Sequence, residues 1–312
     1  MQALLEQFQV RIYLITLSIA VVMGLSMPVN LMDALPIALG ILMYGMFVQI
    51  PFLKFLDILK APRFLCAILL SNFVIIPLVL SVVFPYFPHH PAIQFGILLV
   101  LLTPCIDYVV VFTTLGKGDG KLMLAATPIL LILQILLLPI YIYLFLGQSF
   151  VAALSIQPFV ESFFVLMLLP CVAAVLVQST QKHRWSQITQ SISNALPVPL
   201  MALVLFIIVS SNITVVVADL TLLQQLIPIY IGFMVIMFLI NLMLGRSFKL
   251  PSNELRTVIY SAGTRNSLAV LPFALALPSQ WVLIAITAIV TQTLVELVGE
   301  LIYVRITPKI HG

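Results

Sequence analysis

The sequence predicts an all-α membrane protein of ten transmembrane helices arranged as two inverted five-helix repeats. Three observations carry that prediction: a composition too poor in charge to face water, ten apolar runs of spanning length, and basic residues confined to alternate loops. Of the 312 residues, 62% are hydrophobic and 8% charged, with a mean hydropathy of +1.23. A soluble domain carries about a quarter charged residues. In lipid every backbone N–H and C=O must be paired within its own segment or in a closed barrel. The runs are continuous and do not alternate with period two, which leaves helix.

The first run, Val10 to Val29, is about 20 residues and long enough to span hydrocarbon. Ser26-Met27-Pro28-Val29 makes a poor cleavage site, so the run reads as a retained helix and not a signal peptide. The ten runs cover 9–30, 34–53, 62–84, 92–115, 121–147, 157–179, 194–215, 224–245, 254–277 and 280–304. Counting loops from a cytoplasmic N-terminus places 13 of the 14 basic residues on one side, and the last, Arg265, falls inside a run. The loops near 31–33, 85–91, 148–156, 216–223 and 278–279 hold neither Lys nor Arg. The positive-inside rule then sets both termini in the cytoplasm, in the cell (inner or plasma) membrane. The net charge of +4 belongs to those cytoplasmic loops and does not point to nucleic acid.

Ten helices divide into halves at 1–156 and 157–312, and an odd number per half forces the halves into opposite orientation, a plan common in secondary transporters. Two runs look broken. The fourth is interrupted by Thr103-Pro104-Cys105-Ile106-Asp107 and the ninth by Ser261-Ala262-Gly263-Thr264-Arg265-Asn266-Ser267. They are matching members of the two halves, and broken helices at mid-membrane are where transporters hold substrate and coupling ions.

An ionised group at bilayer depth costs between about 3 and over 10 kcal/mol. Asp107 and Arg265 are therefore expected to pair, either as a gate or substrate and proton site, or as a structural ion pair fixing the crossing. Glu296 and Glu300 share a helix face at i,i+4, where their mutual repulsion suggests proton coupling. The alternative is that Glu300 sits at the cytoplasmic end near Arg305 and is solvated; Glu296, at greater depth, is the favoured member. Glu161 reads as interfacial. Cys66 and Cys171 read as packing residues, whereas Cys105 follows Pro104 at the break and offers a soft ligand to a thiophilic centre. Three cysteines in apolar stretches imply no disulfide framework. His89-His90 reads as a solvated outer loop, and Gly116-Lys117-Gly118-Asp119-Gly120 as a tight turn without phosphate-loop spacing. No metal site, cofactor, nucleotide motif or enzyme constellation is expected.

Pro104-Cys105-Ile106, the stretch Leu115-Gly116-Lys117-Gly118-Asp119, and the two breaks resemble the bile acid/sodium symporter superfamily. Cys105 and Ser71-Asn72-Phe73-Val74-Ile75-Ile76-Pro77 are similar to its arsenical-resistance branch, the arsenite efflux permeases. The resemblance runs over the whole chain and implies a panel domain beside a core domain in which broken helices four and nine cross. Against the sodium-coupled members, a Ser-Asn pair of the fourth span is replaced by Val109 and Val110. The Glu and Gln before the ninth-span Asn are replaced by Ser261 and Arg265. That difference points away from sodium, with the guanidinium standing in for a cation. Arsenite permeases carry a carboxylate just after that Asn where this chain has Ser267-Leu268, so Asp107 becomes the candidate proton carrier.

The expected function is proton-coupled efflux of arsenite or a related trivalent metalloid. Cys105, Asp107, Arg265 and Asn266 would bind substrate, and Asp107, Glu296 and Ser261 would couple or gate. The alternative is a sodium-independent organic-anion transporter in which Arg265 binds a carboxylate. A sensor or scaffold is disfavoured because the chain offers no soluble domain to signal through. The expected partners are the small-molecule or metalloid substrate, protons and membrane lipid.

Overall fold

The computed structural model describes residues 2–27, 31–50, 58–106, 109–153, 156–179, 196–218 and 220–311. Among them regular structure is helical, with one isolated antiparallel bridge and no strand. In the first half the helices are α1 (Gln2–Ser26), α2 (Leu35–Gln49), α3 (Pro62–Leu70), α4 (Ile76–Val83), α5 (Pro91–Leu102), α6 (Val109–Leu115) and α7 (Gly120–Ala153). Next come α8 (Ile156–Ser162), α9 (Leu169–Ser179), α10 (Pro197–Ala218), α11 (Leu220–Ser247), α12 (Ser252–Gly263), α13 (Ser267–Leu275) and α14 (Ser279–Ile306).

Among the described residues, six helical stretches are long and apolar enough to cross a membrane: Met32–Gln49, Pro62–Tyr86, Gly120–Gln148, Val160–Ser179, Thr221–Ser247 and Ser279–Lys309. Arg11–Ser26, Pro91–Leu102 and Pro197–Ser211 are shorter apolar helices. Their outward faces are bare hydrocarbon: Val22, Ile37, Val82, Leu144 and Met243 are each more than 60% exposed. Water does not tolerate so much apolar surface on a folded protein, and lipid covers it without cost. The chain is an all-α, multi-pass membrane protein.

Two compact units divide the chain, and each takes one segment from either side of residue 156. The first unit is Met1–Gln49 with Ile156–Leu223. In it α1 lies along α10, and α2 packs on α9 and α10. The last turn of α2 leaves carbonyls with no partner in the helix. Gln178 donates its amide to two of them, Phe47 O at 3.3 Å and Val48 O at 3.0 Å.

The second unit is Ile50–Ser155 with Gln224–Gly312. Its α5 packs on α14 so closely that a Cβ at Gly96 would stand 2.9 Å from Ala285 O and 3.0 Å from the Ala288 Cβ. Small residues at such contacts let two membrane helices gain dispersion that lipid alone would not give. Pro77 explains the next feature. A proline inside a helix lacks the N–H that would bind the carbonyl four residues back and crowds that carbonyl. The chain responds with a π turn at Ser71–Ile75 between α3 and α4, and Tyr141 on α7 donates its hydroxyl to the freed Phe73 O at 2.6 Å.

The fourth and ninth runs are each two half-helices. α5 stops at Leu102 because Thr103 precedes a proline, which disfavours the helical region, and Thr103 is extended (φ −105°, ψ 109°). α12 stops at Gly263, followed by extended Thr264 (φ −97°, ψ 129°), and α13 restarts at Ser267.

Candidate functional site at the helix crossing

Within the second unit the two breaks lie against each other as a short antiparallel bridge, with Pro104 opposite Arg265. Asn266 N donates to Thr103 O at 2.9 Å, and Cys105 N donates to Thr264 O at 3.3 Å. In this pattern the bridged pair itself exchanges no hydrogen bond. The missing N–H of Pro104 therefore costs nothing at the position it occupies. Each break satisfies backbone groups of the other, which is what irregular backbone at membrane depth requires.

Arg265 is fully buried. Its Nη1 donates to Asn72 Oδ1 at 2.8 Å and reaches Ser261 O and Ala262 O at 3.5 Å. Those two carbonyls belong to the last turn of α12, the negative end of the helix dipole, where a cation is stabilised. Asn72, on the π turn, also donates through Nδ2 to Ser261 Oγ at 2.9 Å and to Ile68 O at 3.0 Å. The π turn thus aims an amide at the crossing, with one end on the guanidinium and the other on Ser261.

α14 supplies two carboxyl groups to the same backbone. Glu296 Oε2 accepts from the Arg265 N–H at 2.7 Å and from the Gln292 side-chain amide. Glu300 Oε1 lies 2.7 Å from the Thr264 hydroxyl oxygen. One turn earlier, Thr293 Oγ1 donates to Ser267 Oγ at 2.6 Å, tying α14 to the start of α13. Gly263 permits this approach, because a Cβ there would stand 2.6 Å from the Tyr303 ring of α14.

The predicted site residues are placed as follows. Cys105, Ser261, Arg265, Asn266 and Glu296 are all fully buried at or beside the crossing. Asn266 caps α13, its Oδ1 accepting from Ala269 N at 3.0 Å, while its buried Nδ2 has no hydrogen-bond partner among the described residues. Asp107 lies outside the described residues, and so does its pairing with Arg265. Val109 is buried in the first turn of α6.

Glu300 corrects the sequence reading. It is not solvated but fully buried, because the i,i+4 step from Glu296 keeps it on the face turned to α12. Cys66 is exposed on α3 and does not pack inside. Glu161 is exposed and accepts from Gln157 at 2.7 Å. Among the described residues no three His, Cys, Asp or Glu side chains are grouped to hold a metal ion.

Asn72, Thr264 and Gln292 were not singled out from the sequence as site residues. Asn72 carried a signal, an amide in the middle of an apolar run, and Gln292 carried another, one helical turn before Glu296.

Comparison with curated proteins finds no match. Among family models, that of the Sodium Bile acid symporter family matches residues 36–219, more than half of the chain. The match takes in the first break and ends before the second. With the crossing of two broken helices in a multi-pass, all-α membrane protein, it fixes the family: the chain belongs to the Sodium Bile acid symporter family and is a membrane transporter.

Proposed function

We propose that this transporter is sodium-independent and proton-coupled, and that it exports arsenite or a related trivalent metalloid across the cell membrane. The observation that carries the reading is the Arg265 guanidinium, buried against the carbonyl end of α12. In transporters with discontinuous helices, such carbonyl ends coordinate the driving cation. A fixed positive charge there takes the place of sodium and leaves protons to drive transport, with Glu296 and Asp107 as carriers and Ser261 as a gate. Cys105 stands one residue from the bridge on the opposing strand. Its thiol is a soft donor suited to a thiophilic centre, with Asn266 completing the substrate contacts.

Ten crossings in two inverted repeats, 1–156 and 157–312, underlie the site. The register of the half-helices supports this arrangement. α5 and α12 are both 12 residues long, and the step from Pro91 to Ser252 equals the step from Pro104 to Arg265, at 161 residues. Equivalent residues of two halves related by a twofold axis meet each other on that axis, as Pro104 and Arg265 do. The confinement of 13 basic residues to alternate loops supports cytoplasmic termini.

The test is arsenite accumulation in cells stripped of their own exporters. The parent chain is expected to lower accumulation, and Cys105→Ser at equal expression is expected to lose that effect. Accumulation that the parent chain does not lower contradicts metalloid export, and equal lowering by the two chains contradicts the role of Cys105. A second reading, export or uptake of an organic anion, is favoured by the same buried guanidinium, which matches a carboxylate bidentately. It expects Cys105→Ser to be silent and Arg265→Gln to abolish transport.

A further inference from the structure

We propose that Glu300 is a second proton-binding site of the transporter and holds its proton against Thr264, so that loss of the proton is felt directly at the crossing. The inference rests on the proton-coupled reading above for its use in transport, but not for its chemistry.

The hydrogens available at Thr264 are too few for an ionised Glu300. Thr264 Oγ1 lies 2.7 Å from Tyr260 O and 2.7 Å from Glu300 Oε1. A threonine hydroxyl has one hydrogen to give and lone pairs to accept with. Tyr260 O is a carbonyl and has no hydrogen to contribute. If Glu300 were ionised, two short oxygen–oxygen contacts would share a single hydrogen. With Glu300 protonated, its O–H donates to Thr264 Oγ1 and the Thr264 O–H donates to Tyr260 O, and both contacts are satisfied. The second carboxyl oxygen agrees. Glu300 Oε2 is buried with no hydrogen-bond partner among the described residues. The carbonyl oxygen of a neutral acid tolerates that position far better than a carboxylate oxygen does.

Glu296 differs. Its Oε2 accepts from two N–H donors, the Arg265 backbone and the Gln292 amide, an arrangement suited to a negative charge. Among the described residues, the titratable groups facing Glu300 are Glu296 and Tyr303 on its own helix and Tyr260 on α12. Arg256 acts on Tyr260 from one turn away on α12. Among the described residues, none of the groups facing Glu300 directly is a cation.

The consequence lies in the backbone. When the proton leaves Glu300 Oε1, the Thr264 hydroxyl keeps its own hydrogen and must turn it from Tyr260 O to the new carboxylate. Tyr260 O then loses the hydroxyl and keeps the Thr264 N–H bond, 2.9 Å. The carbonyl of that same Thr264 is the one held by Cys105 N. Protonation at α14 is thereby linked to the extended segment that carries the proposed substrate thiol.

The test uses the full-length protein in lipid nanodiscs and needs no substrate. Infrared spectra at neutral pH are taken of the parent, Glu300→Gln and Glu296→Gln. Glutamine resembles the neutral acid, so Glu300→Gln is expected to fold. The carboxylic-acid C=O stretch of the parent is expected to be lost in Glu300→Gln and retained in Glu296→Gln. Loss in Glu296→Gln alone, in both variants or in neither overturns the proposal. A failure of arsenite export would overturn the transport reading and leave the spectroscopic result standing.

Discussion

A guanidinium at bilayer depth costs between about 3 and over 10 kcal/mol to place, and Arg265 is held there by one amide oxygen and the carbonyls ending α12. Asn72 is the strongest of these partners and also holds Ser261. Asn72→Ala is therefore expected to destabilise the protein by about 2 kcal/mol, the range for a lost hydrogen bond to a charged group. Reversible unfolding in mixed micelles measures it. Combined with Arg265→Met the cost should fall below the sum of the single changes, because the bond is already gone; an additive cycle contradicts the assignment. Arg265, Cys105, Ser261, Asn266 and Glu296 were legible as polar or reactive residues in apolar runs. The bond from Asn72 to Arg265 was not, because it joins positions 193 residues apart. Nor was the burial of Glu300, since the depth of a helix end depends on its neighbours and not on its own composition.

At the scale of elements, two prolines have opposite outcomes for a physical reason. Pro77 only loosens its helix into a π turn, because Tyr141 takes up the carbonyl that the proline frees. Pro104 ends its helix, because the second break supplies a bridge for the extended residues around it. Both interruptions of the crossing could be read from Pro104, Gly263 and their polar neighbours. The π turn could not, because the partner that makes it tolerable lies on another helix. Tyr141→Phe is expected to cost about 1 kcal/mol in the parent, the usual net value of one hydrogen bond. In a Pro77→Ala background, where an N–H returns to the ladder, the cost should shrink. Thermal unfolding of the four proteins measures this, and an undiminished cost in the double variant contradicts it.

At the scale of the whole molecule, composition and the long apolar runs were enough to read a multi-pass helical membrane protein, because the bilayer restricts what can cross it. The compact units were not legible from residue patterns alone, since each joins segments from both sides of residue 156. In the function proposed here a few side chains at one crossing decide what is carried, and a fixed guanidinium there has replaced a driving sodium ion. Arsenite flux in proteoliposomes under an imposed pH gradient, with and without sodium, tests that claim most directly. Flux is expected to follow the pH gradient and to be unchanged when sodium is replaced by choline. Flux that requires sodium and ignores the pH gradient would contradict it.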